Sequence, residues 1–156
     1  MLGRGLFIAA LVTALDQFTK WLILTKVMVP PHPVPVTFFF DLVLNWNPGI
    51  SFGLFAGHPE TGSWLFVAIA AGITLTLLLW LARVDRWLLA IAISFVIGGA
   101  VGNIVDRLRF GAVVDFLYFH LGQYDFPAFN MADSAITVGV GLLLIDSLFG
   151  EGRSRK

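Results

Sequence analysis

Two aspartates stand in apolar company in the C-terminal half of the sequence. Asp115 lies in Val113-Val114-Asp115-Phe116, and Asp133 closes Phe129-Asn130-Met131-Ala132-Asp133. Burial and a second nearby carboxylate both oppose ionisation, so two such acids brought together would share a proton. The ionised partner can then activate water, while the protonated one polarises a carbonyl and later protonates a leaving amine. Spacing alone does not establish that Asp115 and Asp133 meet. Other chemistries have a weaker footing. The absence of cysteine removes thiol catalysis, disulfides and Cys-type zinc sites. Ser51 has no G-x-S-x-G context and no identifiable base. His32, His58 and His120 lack metal-ligand spacing, so no metal and no other cofactor is expected; His120 with Asp115 or Asp125 stays open.

The elements that must position these acids follow from composition. Hydrophobic residues make up 58% of the 156 and charged ones 13%, against roughly 45–50% and about 25% in a soluble domain. Mean hydropathy is +0.86. Ten basic and ten acidic residues cancel, and no basic stripe marks a nucleic-acid surface, so no nucleic acid is expected as a partner. A membrane-spanning helix needs about 20 largely apolar residues. Four segments meet that length, at about 5–24, 63–82, 87–105 and 133–149. The expected fold is therefore an all-α polytopic membrane protein. Its single membrane-embedded domain, 1–156, has two polar-face loops at about 25–62 and 107–132. Asp16 and Lys20 interrupt the first segment, and no small-x-small site follows it, so it reads as a retained helix rather than a cleaved signal.

Charge distribution gives the orientation. With both termini cytoplasmic, the inner side holds Arg4, Arg83, Arg86, Arg153, Arg155 and Lys156, six basic residues over short lengths. The far longer outer side holds four: Lys20, Lys26, Arg107 and Arg109. The first outer loop carries six of the seven prolines. Its VPPHPVPV stretch is expected to be extended, and residues 37–46, TFFFDLVLNW, to form a strand ended by a turn at Asn47-Pro48-Gly49. Phe38, Phe39, Phe40, Trp46, Phe52 and Phe55 suit a small sheet at the lipid–water interface, or equally a covered loop with ordinary aromatic anchors.

On this topology every unusual polar residue gathers at one membrane face, and each has a plain local reading beside a functional one. Asp16 and Lys20, spaced i,i+4, either neutralise each other while Lys20 snorkels outward or contribute to ligand binding. Asn103, Asp106 and Arg107 share one helical face; Asp106 reads as a brace, and Arg107 as a brace or a binding group. Gly98 and Gly102 form a small-xxx-small pair for close helix packing. Asp133 before Ser134-Ala135-Ile136 is a natural N-cap for the last helix. Asp115, between Val114 and Phe116, has no obvious local partner.

The motifs sharpen these readings. Asp16-Gln17-Phe18-Thr19-Lys20, Asn47-Pro48-Gly49-Ile50-Ser51-Phe52, the Gly98-to-Arg107 run GGAVGNIVDR, Val113-Val114-Asp115-Phe116 and Phe129-Asn130-Met131-Ala132-Asp133 follow one another in order through a chain of four helices and two outer loops. Along nearly its whole length the chain resembles lipoprotein signal peptidase, or signal peptidase II. It departs from that family where small residues, commonly Ala-Ala, usually follow the Asn-x-Gly turn and this chain has Ile50-Ser51.

The resemblance implies an aspartic endopeptidase of the bacterial cytoplasmic membrane. Such an enzyme removes signal peptides from prolipoproteins before a cysteine carrying diacylglycerol, and it is sensitive to the peptide antibiotic globomycin. It implies Asp115 and Asp133 as the catalytic dyad, with Asp16, Lys20, Asn47, Asn103, Asp106, Arg107 and Asn130 binding substrate or supporting the site. Arg107 and Asn47 are expected to contact the substrate backbone, and Asn130 to orient Asp133. The expected partners are the lipidated precursor and membrane lipid, and the expected state is a monomer.

Two other readings compete. A proton or ion carrier relaying through Asp16, Lys20, Asp106 and Asp133 needs polar residues through the whole membrane depth, which the inner halves of these helices do not offer. A non-catalytic packing subunit leaves Asp115 unexplained.

Overall fold

The computed structural model describes residues 1–49 and 59–150. Ile50, Ser51, Phe52, Phe55 and His58 of the first loop, and Arg153, Arg155 and Lys156 of the basic tail, lie outside the described residues. In chain order the elements are α1 (Leu2–Leu22), running on into a π-helical turn (Ile23–Val27), then β1 (Val34–Thr37) and β2 (Phe40–Asn47). After these come α2 (Pro59–Leu81), α3 (Trp87–Phe110), β3 (Val113–Leu121), β4 (Tyr124–Asp125) and α4 (Met131–Gly150). Among the described residues, four helices are long and apolar enough to cross a membrane: Leu2–Val27, Ser63–Leu81, Trp87–Phe110 and Met131–Phe149. The chain is a multi-pass membrane protein carrying a small antiparallel sheet at one end of its bundle.

The central helix is α3, on which α1, α2 and α4 all pack. Small residues make this possible. A Cβ on Gly98 would lie 2.6 Å from the Ala9 carbonyl oxygen of α1, and one on Gly99 would strike the Ala132 carbonyl of α4. The two neighbouring glycines therefore serve two different helix contacts, and Gly102 serves a third, against the Asp16 carboxylate. Leu81, Ala90, Ile93, Ile97 and Ala9 form the buried apolar centre. Outward faces are apolar as well: Phe7, Leu11, Trp64, Ile73, Leu79, Leu144 and Leu148 are all exposed on the bundle surface, as lipid solvation requires.

Helix ends differ from the sequence expectation for identifiable reasons. The third helix runs past 105 to Phe110, because Asp106 is neutralised inside the bundle; Gly111 in the left-handed region (φ 74°) then ends it. The last helix starts at Met131, two residues before the expected Asp133, because Asn130 rather than Asp133 is its cap.

The sheet order is β1-β2-β3-β4. The expected strand over 37–46 is interrupted by a turn at Phe38-Phe39 and divides into the β1–β2 hairpin. Its other partner, β3, falls in what reads from sequence as the second loop. Here the run VVDFLYFHL is buried continuously through its first four residues, which obscures the period-2 signal of a half-exposed strand. Phe116 packs with Ile23 and Met28, seating the sheet on the end of α1.

Candidate active site

A β-bulge sets the first half of the site. Between Leu42↔Leu117 and Asn45↔Asp115, β2 uses one residue more than β3. A one-residue slip turns every following side chain to the other face. Asn45 therefore lies opposite Asp115, and Asn47 is its diagonal neighbour on the same face. Asn47 Nδ2 donates to Asp115 Oδ2 at 2.9 Å. The turn that follows fixes that amide's orientation, because the Gly49 N–H donates to Asn47 Oδ1 at 2.9 Å. Gly49 has φ +79°, and a Cβ there would lie 2.7 Å from the Phe66 ring of α2, so the position calls for glycine twice over.

The second half is the start of α4. The Asp133 N–H donates to Asn130 Oδ1 at 2.9 Å and the Asn130 N–H to Asp133 Oδ2 at 3.2 Å. This reciprocal pair is a capping box, with Asn130 as the N-cap and Asp133 at the third helical position. The N-cap role expected for Asp133 thus belongs to Asn130. Its Nδ2 then reaches across to Asp115 Oδ1 at 2.7 Å. Asn130 is fully buried and bonds both acids.

Asn103 of α3 completes the contacts to Asp133, its Nδ2 donating to Asp133 Oδ1 at 2.8 Å. Each oxygen of both carboxylates therefore accepts one hydrogen bond from a backbone or amide donor. Asp115 is 1% exposed, whereas Asp133 is half-buried. Burial is the main force on Asp115 and, with the neighbouring Asp133 charge, pushes its pKa up to about 6, while the Asn47 and Asn130 hydrogen bonds hold it down. One more deeply buried acid with a raised pKa beside a more exposed one has the asymmetry that general acid–base chemistry needs.

Behind the acids lies a buried ion cluster. Lys20 does not snorkel outward: its Nζ is 2.8 Å from Asp16 Oδ2 and 2.8 Å from Asp106 Oδ2, and the residue is 2% exposed. Folding the side chain inward gives the ammonium two carboxylates in place of water, without which its burial would cost several kcal/mol. Asp106 accordingly pairs with Lys20, not with the adjacent Arg107.

Arg107 sits at the rim. Its Cζ lies 5.5 Å from the centroid of the Phe66 ring, and its Nε is buried without a hydrogen-bond partner among the described residues. Its guanidinium lies under the Gly49 turn, where a Cβ on that glycine would come within 3.3 Å of Nη2.

All nine residues singled out in the sequence thus lie in one cluster at the sheet end of the bundle. Gln17 was overlooked. Its Nε2 donates to Asp106 Oδ1 at 2.8 Å and lies 3.2 Å from the Gly102 carbonyl oxygen. Its place next to Asp16 inside an apolar helix was the available signal. His120 faces Asp41 instead, with Nε2 3.3 Å from Asp41 Oδ2, on the outer part of the sheet. At the opposite end of the bundle Arg86 pairs with Asp146 of α4, a second polar contact that sequence reasoning passed over.

Comparison with known proteins bears on what this arrangement does. Residues 8–149 match the family model described as signal peptidase (SPase) II. A lipoprotein signal peptidase of Rhodopseudomonas palustris (strain TIE-1) is 48% identical over 151 residues, covering 94% of this chain and 92% of the relative. One from Azoarcus sp. (strain BH72) is 52% identical over 141 residues, covering 89% and 79%. A bacterial membrane enzyme structure obtained by the in meso method superposes with a TM-score of 0.81 at 34% identity, over 94% of each chain.

Proposed function

The chain belongs to the signal peptidase II family, and on that premise we propose that it removes the signal peptide of prolipoproteins by an aspartic mechanism with Asp115 and Asp133 as the dyad. The observation that carries this reading is Asn130, which hydrogen-bonds both acids at the membrane end where the polar residues gather.

Asp115, buried and with a raised pKa, holds the shared proton and directs it at the carbonyl oxygen of the scissile bond. Asp133, the more accessible acid, takes a proton from the attacking water as a new C–O bond forms. The tetrahedral intermediate then collapses, the C–N bond breaks, and the amine of the lipidated cysteine leaves with a proton supplied by the dyad. A diacylglyceryl anchor confines the cysteine to the bilayer surface, so much of the positioning is done before the peptide reaches the acids. Arg107 and Asn47, at the rim, hold the substrate backbone. Globomycin is expected to bind at the same two acids.

The distribution of Lys and Arg supports a cytoplasmic membrane location, with both termini inside and the acids at the outer face. A monomer suffices, since every group named comes from one chain.

The test uses purified protein in liposomes with lipidated and unlipidated precursor. The lipidated precursor is cleaved, and Asp115→Asn or Asp133→Asn, still inserted, each lose about 10²–10⁴-fold in kcat. Full processing by either variant removes the dyad assignment.

A further inference from the structure

Lys20 does more than neutralise a buried acid. Its two carboxylate partners each hold a backbone N–H immediately before one member of the dyad. Asp16 accepts from Ala132 N–H through Oδ1 at 2.9 Å, and Ala132 precedes Asp133. Asp106 accepts from Val114 N–H through Oδ2 at 3.0 Å, and Val114 precedes Asp115. A third contact runs through Asn103, whose Oδ1 faces Lys20 Nζ at 3.2 Å while its Nδ2 donates to Asp133. An ammonium only donates, so Lys20 obliges Asn103 to present its oxygen inward and its amide N–H to the acid. Asn130 Nδ2, 3.3 Å from the same Asn103 oxygen, enforces the same orientation.

The three anchor points come from separate parts of the chain. Val114 opens the sheet side of the site, Ala132 lies in the first turn of α4, and Asn103 belongs to α3. We propose that Lys20 is the positioning residue of the reaction, clamping Asp16 and Asp106 so that the chain segments carrying the two acids are held at one spacing and Asn103 is turned as a donor to Asp133. The inference rests on the dyad reading and adds to it a residue that touches neither acid. Charge bookkeeping shows why one lysine is needed. Two buried carboxylates around a single ammonium leave the cluster at a net −1. Without Lys20 they would repel each other and release their hold on the two N–H groups.

The test compares Lys20→Met with the double variant Lys20→Met/Asp106→Asn, full length and reconstituted in liposomes. The double variant keeps the cluster at net −1, so it carries the experiment if the single one fails to insert. Insertion and thermal unfolding are monitored alongside kcat, KM and the pH profile on lipidated precursor. Folded variants are expected to lose at least tenfold in kcat with KM changed less than twofold. In Lys20→Met alone, where the cluster passes from net −1 to −2, the pH profile of kcat is expected to move upward, whereas in the double variant, still at net −1, the loss in kcat is the readout. Lys20→Arg, which keeps the charge, is expected to recover most of the rate. A folded variant with kcat within twofold of the parent and an unmoved pH profile overturns the proposal. A raised KM at unchanged kcat also overturns it, since that would make Lys20 a substrate contact. Asp115→Asn and Asp133→Asn run in parallel separate the two claims: parent-level activity in either one defeats the dyad itself, whatever Lys20 does.

Discussion

The buried position of Asp115 makes a prediction about stability that is independent of any substrate. Its carboxyl, 1% exposed, titrates near 6 in the folded protein against an ordinary 3.8. Below 3.8 the group is protonated whether folded or unfolded and carries no penalty. Between 3.8 and about 6 the unfolded chain releases the proton while the folded chain keeps it, so stability falls as pH rises through this window. The full displacement corresponds to about 3 kcal/mol, lost by about pH 7.

Asp115→Asn removes the ionisation but introduces a pH-independent cost. Both carboxylate oxygens accept from amide donors, Asn47 Nδ2 and Asn130 Nδ2, and an amide can turn its oxygen to only one of them. The mismatch costs about 1 kcal/mol. The variant is therefore expected to be about 0.5 kcal/mol less stable than the parent at pH 4 and about 2 kcal/mol more stable at pH 7.5, with the curves crossing near pH 4.5. Equilibrium unfolding in detergent micelles, followed by tryptophan fluorescence at each pH, measures the difference. Taking the difference between the two proteins cancels the titration of the acids that do not interact with Asp115. A parent-minus-variant difference that is constant from pH 4 to 7.5, or that grows in the parent's favour as pH rises, refutes the reasoning.

Two further outcomes follow from packing and charge. Gly102→Ala would put a Cβ 2.5 Å from Asp16 Oδ2; displacing that carboxylate is expected to cost about 1–3 kcal/mol and to reduce the cleavage rate, read from thermal unfolding and the precursor assay together. Arg86→Met at the far end leaves the largely buried Asp146 unpaired. Because Arg86 is itself about half exposed, the expected loss is only about 1 kcal/mol, and kcat on the lipidated precursor is expected to stay at the parent value.

The bundle and the site were not equally legible in the sequence. A spanning helix satisfies its own backbone and announces itself by apolar length, so the four spans could be counted along the chain. The gathering of Asp16, Lys20, Asn103, Asp106 and Asp133 at one end followed from their places within those spans. Helix ends were less legible: whether Asp106 lies inside α3 depends on Lys20 reaching it from α1, a contact 86 positions away in the chain.

The pairing of β2 with β3 was hidden for the same reason. Its ladder is closed by groups far apart in sequence, and the bulge that turns Asn47 toward Asp115 has no local signature. Side-chain direction was equally undetermined. Asp133 beside Ser134 reads as an N-cap until the first turn of α4 is built and Asn130 takes that place. Lys20 four residues after Asp16 reads as one i,i+4 pair until α3 supplies a second carboxylate. Residue type and order thus determined which groups are available for chemistry and at which end of the bundle. Tertiary structure decided which groups bond to which, because a hydrogen bond or buried ion pair depends on separations of about 3 Å between elements that the chain connects only through long loops and whole helices.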